Sequence, residues 1–192
     1  MPLEDYIAEA LKSKTLHPDI HKRLIERLVE FSQAAGIPTK DVCRPLLDFN
    51  PPDEVYEWVK SFKQHSTEGV AGLVVVGKNY DPDDLFSGIA GVMLRNFTAA
   101  KLVSFRGLFD SIEAKAPPTE TCVLIPNYFQ PRSQGSSATK WEAGKVLDFL
   151  RDRKVGGQQT VLHVHDLDML EKEYGSANRE FLERNFTIVR AD

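Results

Sequence analysis

The chain has no surplus of positive charge, few cysteines and no long apolar run. Its 192 residues carry 24 Lys and Arg against 28 Asp and Glu, a formal net charge of −4. This excludes a global basic field for nucleic acid, so any such contact would need a local patch. The two cysteines, Cys43 and Cys122, fit no metal-ligand spacing. No apolar run approaches the roughly 18 residues of a membrane helix and no signal peptide is recognisable, so we expect a soluble, cytoplasmic protein.

The composition is otherwise that of a globular protein. Hydrophobic residues make up 42% and charged residues 27% of the chain, which supplies enough apolar material for a core. A length of 192 residues fits one medium domain with a small extension, or two small domains. No internal repeat is found, so the sequence does not predict an array of small units.

The stretch from Gly72 to Phe97 is the clearest structural signal. The apolar, β-branched run Leu73–Val76 is typical of a strand that is buried on both faces. A second apolar series advances in steps of one, three and four, which places its members on one face of a helix. Its members are Leu85, Phe86, Ile89, Ala90, Met93, Leu94 and Phe97. A buried strand, a turn and an amphipathic helix are the frame in which a phosphate-binding loop normally lies.

The turn between them lacks the residues of such a loop. The motif GxxxxGK[ST] needs glycines for its backbone amides, a lysine for the phosphates and a hydroxyl for magnesium. Counted from Gly77, the second glycine is replaced by Pro82, which has no amide hydrogen. Asp83 replaces the lysine, and Asp84 replaces the hydroxyl. We therefore expect no ATP binding; a cap for the following helix, made by Asp81 or Asp83, is the simpler role for these acids.

The rest of the chain alternates short strands with helices. Further strands are predicted at 101–105, 121–125, 160–164 and 186–189, with helices in the intervals between them. Strands that are separated by helices of about 10 to 20 residues indicate a parallel sheet with helices on both faces. The predicted fold class is therefore α/β.

The N-terminal part of the chain has a different pattern. Helices are predicted over 3–11 and from Pro18 to Ala35, and the proline-rich stretch Ile37–Pro52 follows them. We expect a helical N-terminal partner-binding region over residues 1–45 and an α/β domain over residues 46–192.

Positive charge is concentrated locally in these N-terminal helices, where it is interleaved with glutamate. Lys22, Arg23 and Arg27 are the candidate contacts with a partner. A solvated helix face is the alternative interpretation of the same charges.

Several segments follow one another in a recognisable order. Asp48–Pro52 precedes a helix and the strand Gly72–Gly77. Val123–Asn127 is a second apolar strand, and Val146–Val161 runs from a helix through an Arg-containing turn to a threonine-led strand. From about Leu46 to Val189, this succession resembles the DnaC/DnaI-type helicase loaders and the IstB transposition helpers, which are AAA+ ATPases. The resemblance implies a P-loop/AAA+-like parallel sheet with these segments as the P-loop, Walker B and sensor strands.

The same resemblance implies residues that the chain does not have. The family's Walker B strand ends in two acids, one for magnesium and one for the attacking water. Pro126 and Asn127 stand there instead. His165 occupies the polar sensor position, and Arg179 and Arg184 lie near the family's arginine finger with a shift of one residue. We therefore predict a pseudo-ATPase with no catalytic residues, no cofactor and no metal.

The resemblance implies a role in phage, plasmid or bacterial DNA replication. The first hypothesis is an ATP-independent, helicase-loader-like protein that binds a replicative helicase or another replication partner, with a weak single-stranded DNA contact. The second is a regulator or inhibitor that imitates a loader subunit and blocks helicase loading; a transposition helper is less favoured. The third is an enzyme that holds a metal between Asp166, Asp168 and the acidic turn. Arg179 and Arg184 are further candidate partner contacts, and no membrane association is expected.

Overall fold

The computed structural model describes residues 1–78, 82–132 and 138–191. Within these ranges the chain forms one five-stranded sheet with the order β2-β3-β4-β1-β5, and every neighbouring pair is parallel. The strands are β1 (Gly72–Val76), β2 (Ala100–Leu102), β3 (Cys122–Phe129), β4 (Gln159–Val164) and β5 (Phe186–Arg190). The predicted α/β class with an all-parallel sheet is confirmed.

Helices cover both faces of the sheet. In chain order they are α1 (Leu3–Lys12), α2 (Lys22–Glu26), α3 (Leu28–Ala35), α4 (Thr39–Cys43), α5 (Asp53–Lys60), α6 (Phe62–Thr67), α7 (Pro82–Arg95), α8 (Phe105–Glu113), α9 (Lys140–Val155), α10 (Leu167–Tyr174) and α11 (Ser176–Asn185). A 3₁₀ turn, Leu46–Phe49, lies between α4 and α5.

The apolar run of β1 divides its side chains between two cores. Leu73 and Val75 belong to one apolar cluster, while Val74 and Val76 belong to the other. This alternation follows from the period of two along a strand. Because β1 pairs with β4 on one side and β5 on the other, it lies inside the sheet, and both of its faces are covered.

The first core includes the N-terminal helices. Ala10, Leu24 and Leu28 share an apolar cluster with Leu73 of β1 and with the buried face of α7. Helices α1–α7 therefore lie on one face of the sheet, while α8–α11 contribute to the cluster on the other face. Residues 1–45 are packed against the sheet, and their separability as a domain stays a prediction.

Several predicted element boundaries are wrong, and two of them have a clear local cause. The strand expected at 101–105 ends at Leu102, because the Ser104 side chain caps α8 by accepting a 3.1 Å hydrogen bond from the Gly107 amide. The helix expected from Pro18 starts only at Lys22 and is interrupted at Arg27, whose φ of −121° is not helical. Both boundaries depend on local geometry that the apolar pattern does not record.

No helix in the described ranges is both long enough and apolar enough to cross a membrane.

Candidate functional site

The sequence-predicted nucleotide residues meet at one edge of the sheet, where the carboxyl ends of the parallel strands lie. Gly77 and Lys78 follow β1, Pro126 and Asn127 lie in the last part of β3, and His165 follows β4. Ligands of open α/β sheets bind at this edge. The structure therefore places the predicted P-loop, Walker B and sensor positions at the same end of the molecule.

The described part of the turn after β1 presents negative charge. Pro82 is the first residue of α7, so the first helical position has no amide hydrogen to donate. Asp83 and Asp84 follow in the first turn and are exposed. The Lys78 ammonium lies 3.0 Å from a carboxylate oxygen of Asp166, to which it is paired. Residues 79–81, including the predicted cap Asp81, lie outside the described residues.

The predicted Walker B position has an irregular backbone. Ile125 pairs with Leu162 and Phe129 pairs with Val164, so four steps along β3 match only two steps along β4. The strand therefore bulges at this point, and Asn127 takes a left-handed φ of 55°. Pro126 and Asn127 lie within this bulge, and neither side chain can carry the negative charge that binds magnesium.

The two histidines near the end of β4 have different surroundings. His163 Nε2 lies 3.0 Å from the backbone oxygen of Gly77, which fixes the ring against the start of the turn. His165 is buried, and among the described residues neither of its ring nitrogens has a hydrogen-bond partner. It lines a cleft of about 310 Å³ together with Lys78 and Asp166. In the ranges that the structure describes, no group of three or more His, Cys, Asp or Glu side chains is arranged to hold a metal ion.

Asp166 is a capping residue for α10. Its Oδ1 accepts a 2.9 Å hydrogen bond from the Met169 amide. This bond is the largest cause that lowers the pKa of Asp166; burial opposes the shift, and the ion pair with Lys78 reinforces it. The carboxylate is thus held ionised by the protein itself, which accounts for its position without a metal.

Arg179 is enclosed by carboxylates of its own chain. Its guanidinium lies 2.5 Å from Asp168, 2.9 Å from Glu171 and 2.9 Å from Glu183. The pKa of Arg179 is raised above its ordinary value, first by the hydrogen bond to Glu183 and then by the one to Asp168. The neighbouring Arg184 is exposed and lies 3.7 Å from Glu180. Of these two candidate contacts, Arg184 is therefore the more available to a partner.

The basic residues of the N-terminal helices lie on a different face. Lys22 and Arg23 are exposed, while Arg27 makes a salt bridge with Glu30 and lies 5.4 Å from the centre of the Phe31 ring. Helix α2 belongs to the first face of the sheet and α11 to the second. The two sets of candidate partner contacts are therefore not brought together.

Sequence reasoning missed the carboxylates around Arg179. The i, i+4 spacing of Arg179 and Glu183 on a predicted helix was a readable signal for that pair. Asp168 and Glu171 belong to the preceding helix, α10, and their approach depends on how α10 packs on α11. The bulge in β3 also had no clear sequence signal beyond Pro126.

Solved structures with the same arrangement of elements come from DNA replication. A DNA replication initiation factor superposes with a TM-score of 0.57 at 10% identity, covering 77% of this chain and 49% of that one. DnaA from Aquifex aeolicus bound to AMPPCP gives 0.55 at 11% identity, covering 77% of this chain and 50% of the other. A candidate primosome component from Streptococcus pyogenes serotype M3 gives 0.51 at 9% identity, covering 84% and 94%.

At these identities the likeness shows the fold alone, and the chain spans about half the length of the two initiators. No protein-family model matches the sequence, and no curated protein matches it. The α/β fold with a parallel sheet that was expected from the order of the segments is confirmed, and these replication proteins share it.

Proposed function

We propose that this protein is a nucleotide-independent binding module of DNA replication, with the fold of a helicase loader and a replicative helicase or another replication protein as its partner. The observation that carries the proposal is the edge of the sheet described above. There an AAA+-like fold presents Pro82, Asp83 and Asp84 in place of the phosphate-binding residues, and a bulged Pro126-Asn127 in place of the Walker B acids.

Charge at this edge argues against a triphosphate. A P-loop holds phosphates through inward-pointing amides, a lysine and the positive end of the helix. Here the first helical position has no amide hydrogen, and two carboxylates occupy the first turn. Lys78 is the first residue after Gly77, and its ammonium pairs with Asp166. The attraction for phosphate is thus replaced by repulsion, while the strand–turn–helix frame is kept.

The candidate surfaces for a partner are the basic residues of α2 and the exposed part of α11. Lys22 and Arg23 are exposed on α2, and Arg184 is exposed on α11. The solved structures that share the fold include a DNA replication initiation factor and a candidate primosome component. These contexts support a replication protein as the partner, and the role follows from contact rather than from ATP turnover.

The test measures binding with and without nucleotide. Calorimetry of the chain with Mg-ATP is expected to give no heat of binding, and capture of a replicative helicase is expected to be unaffected by Mg-ATP. The variant Pro82→Gly/Asp83→Lys/Asp84→Thr rebuilds the loop sequence and serves as the matched control. Micromolar Mg-ATP binding by the unmodified chain would refute the nucleotide-independent role.

A helicase-loading assay then separates the two directions of the effect. Faster loading of the helicase on single-stranded DNA supports the loader-like role, whereas slower loading supports an inhibitor that imitates a loader subunit. If replication proteins are not captured at all, neither role holds.

A further inference from the structure

The far end of α7 carries a cleft that the proposed function does not use. It has a volume of about 700 Å³ and lies between the 3₁₀ turn, α5, α6 and the last turn of α7. Helix α7 has 14 residues, and a rise of about 1.5 Å per residue separates its two ends by roughly 20 Å. The cleft is therefore remote from the edge where a nucleotide would bind in this fold.

The charged residues that line this cleft all have one sign. Lys60, Lys63 and Arg95 contribute to its wall, and no Asp or Glu of the described ranges does. The chain as a whole carries more acidic than basic residues. Val59, Phe62 and Met93 supply apolar surface in the same wall. A volume within the usual range for ligand sites, an apolar wall and a few converging polar groups are the features of a small-molecule pocket.

Arg95 is the residue that sets this cleft apart. It is only 9% exposed, and the structure gives its guanidinium one hydrogen bond, from Nη1 to the Val42 carbonyl oxygen at 2.6 Å. A guanidinium has five donors. In the described part of the chain, no carboxylate lies within ion-pair distance of Arg95. A buried cation without a counter-charge is destabilising for the fold that holds it.

Arg153, the chain's other buried arginine, shows what a structural arginine looks like here. It is 2% exposed, and its guanidinium donates to five acceptors within the protein. These are the Thr160 hydroxyl, the Gln158 amide oxygen and the backbone oxygens of Glu120, Thr121 and Gln159. Burial lowers the pKa of both arginines to about 10. Of these two buried arginines, only Arg95 also has N–H donors without an acceptor among the described residues and lines a cleft.

The groups around Arg95 leave its charge largely uncompensated. Cys43 lies close by, but burial raises the pKa of its thiol, so it is neutral at pH 7. The C-terminal end of α7 supplies roughly half an elementary negative charge. This compensates only part of the guanidinium charge, and no carboxylate of the described residues supplies the rest.

We infer that this cleft binds a small organic anion, a phosphate or carboxylate group on a compact apolar body, with Arg95 pairing the anion. The planar guanidinium suits both kinds of oxyanion. Lys63 adds positive charge at the exposed rim, and the apolar wall receives the body of the ligand. This inference goes beyond the proposed function and does not depend on the identity of the replication partner.

Four probes test the chemistry of the site. They are phenyl phosphate, phenylacetate, inorganic phosphate and uncharged benzyl alcohol, titrated in a buffer without polyvalent anions. Calorimetry is expected to show one equivalent of phenyl phosphate or phenylacetate bound, with a rise in melting temperature, and no binding of benzyl alcohol. Tighter binding of phenyl phosphate than of phenylacetate, together with binding of inorganic phosphate, indicates a phosphate site. The opposite preference indicates a carboxylate site. If neither aromatic anion binds, the inference is overturned.

Variants then assign the binding to Arg95. Arg95→Met is expected to weaken binding at least tenfold and to lower the melting temperature of the free chain less than Arg153→Met does, because it removes a buried charge without a counter-charge together with a single hydrogen bond, the one to the Val42 carbonyl oxygen. Arg153→Met is the matched control and is expected to lower the melting temperature while keeping the affinity. Affinity retained within twofold in Arg95→Met, or a loss of stability equal to that of Arg153→Met, would show Arg95 to be structural.

A second variant decides the matter if Arg95→Met does not fold. Lys63 is exposed, so Lys63→Glu is expected to leave the fold intact and to reduce anion affinity several-fold. Lys172→Glu makes the same charge change at an exposed position of α10, on the other face of the sheet, and is expected to leave affinity unchanged. Equal affinities in these two variants would overturn the site.

Discussion

The packing of α4 on α7 can be tested by adding one methyl group at Gly91. A Cβ built at this position would lie 2.5 Å from the Asp41 backbone oxygen and 3.3 Å from the Val42 Cα. The first distance is shorter than any ordinary contact, so the two helices would have to separate. Gly144, in the interior of α9, has nothing within 4 Å of the same added atom. The substitutions Gly91→Ala and Gly144→Ala therefore differ mainly in this contact.

Helix α4 is not free to move away from α7. The buried Asp41 carboxylate accepts a 2.7 Å hydrogen bond from the Ser87 hydroxyl of α7, and Arg95 of α7 donates to the Val42 carbonyl oxygen. Adding a methyl group to a packed contact costs about 1–3 kcal/mol. Glycine to alanine inside a helix gains about 0.5–1 kcal/mol when nothing obstructs it.

Gly144→Ala is therefore expected to raise the free energy of unfolding by up to about 1 kcal/mol. The free energy of unfolding of Gly91→Ala is expected to be about 1–3 kcal/mol lower than that of Gly144→Ala. For a chain of this size, this corresponds to a difference of several degrees in melting temperature. Urea unfolding followed by circular dichroism measures both. Equal shifts in the two variants would refute the described packing of α4 on α7.

The same variant tests the division between residues 1–45 and 46–192. If the N-terminal helices are separable, limited proteolysis of Gly91→Ala is expected to cut faster within Ile37–Pro52 and to leave a folded α/β core. Cleavage confined to 131–139 in both the unmodified chain and the variant would count against the division.

Two further predictions concern single side chains. Asp166→Asn is expected to lower stability at pH 7 and to lose this deficit progressively in acid: a carboxylate whose folded pKa is lowered stabilises the fold above its unfolded pKa, and this is lost as the pH falls through the folded value. Melting curves from pH 7 downward measure this, and a deficit that does not shrink as the pH falls contradicts it. Thr139→Ala is expected to cost about 1 kcal/mol, because Thr139 and Glu142 form a capping box for α9; unchanged urea unfolding would refute this.

The fold could be predicted from the sequence because its signals are local and repeated. The run Leu73–Val76 and the periodic apolar face of α7 each predict one element, and alternation of strands and helices then leaves a parallel sheet. Element ends were less predictable, because they depend on single contacts. The cap made by Ser104 shortened β2, and the extension of β3 to Phe129 passes through Pro126, a residue that normally argues for the end of a strand.

The candidate sites were predictable only in part, for a related reason. Pro126 and Asn127 could be assigned to the strand end from their order in the chain alone. Arg95 could not be identified as a binding residue from the sequence. Its spacing of four residues from Gly91 predicts only that the two lie on the same face of a helix. That this face is buried against α4, and that no carboxylate of the described ranges approaches Arg95, are properties of the tertiary packing.

The same segments bear on how the fold would persist without the nucleotide chemistry, as we propose. In α7, Asp83 and Asp84, which align with the lysine and hydroxyl of a phosphate loop in the sequence comparison above, are exposed, whereas Leu85 and Phe86 immediately after them are fully buried. In β3, the half-buried Asn127 is followed by Tyr128, whose hydroxyl donates a 2.8 Å hydrogen bond to the Asn178 side chain inside the core. Exposed and core positions are thus neighbours in sequence but face different surroundings. Because Asp83 and Asp84 are exposed, a change at these two positions alters no buried side chain, so the loss of ATP chemistry that we propose would leave the adjacent core intact.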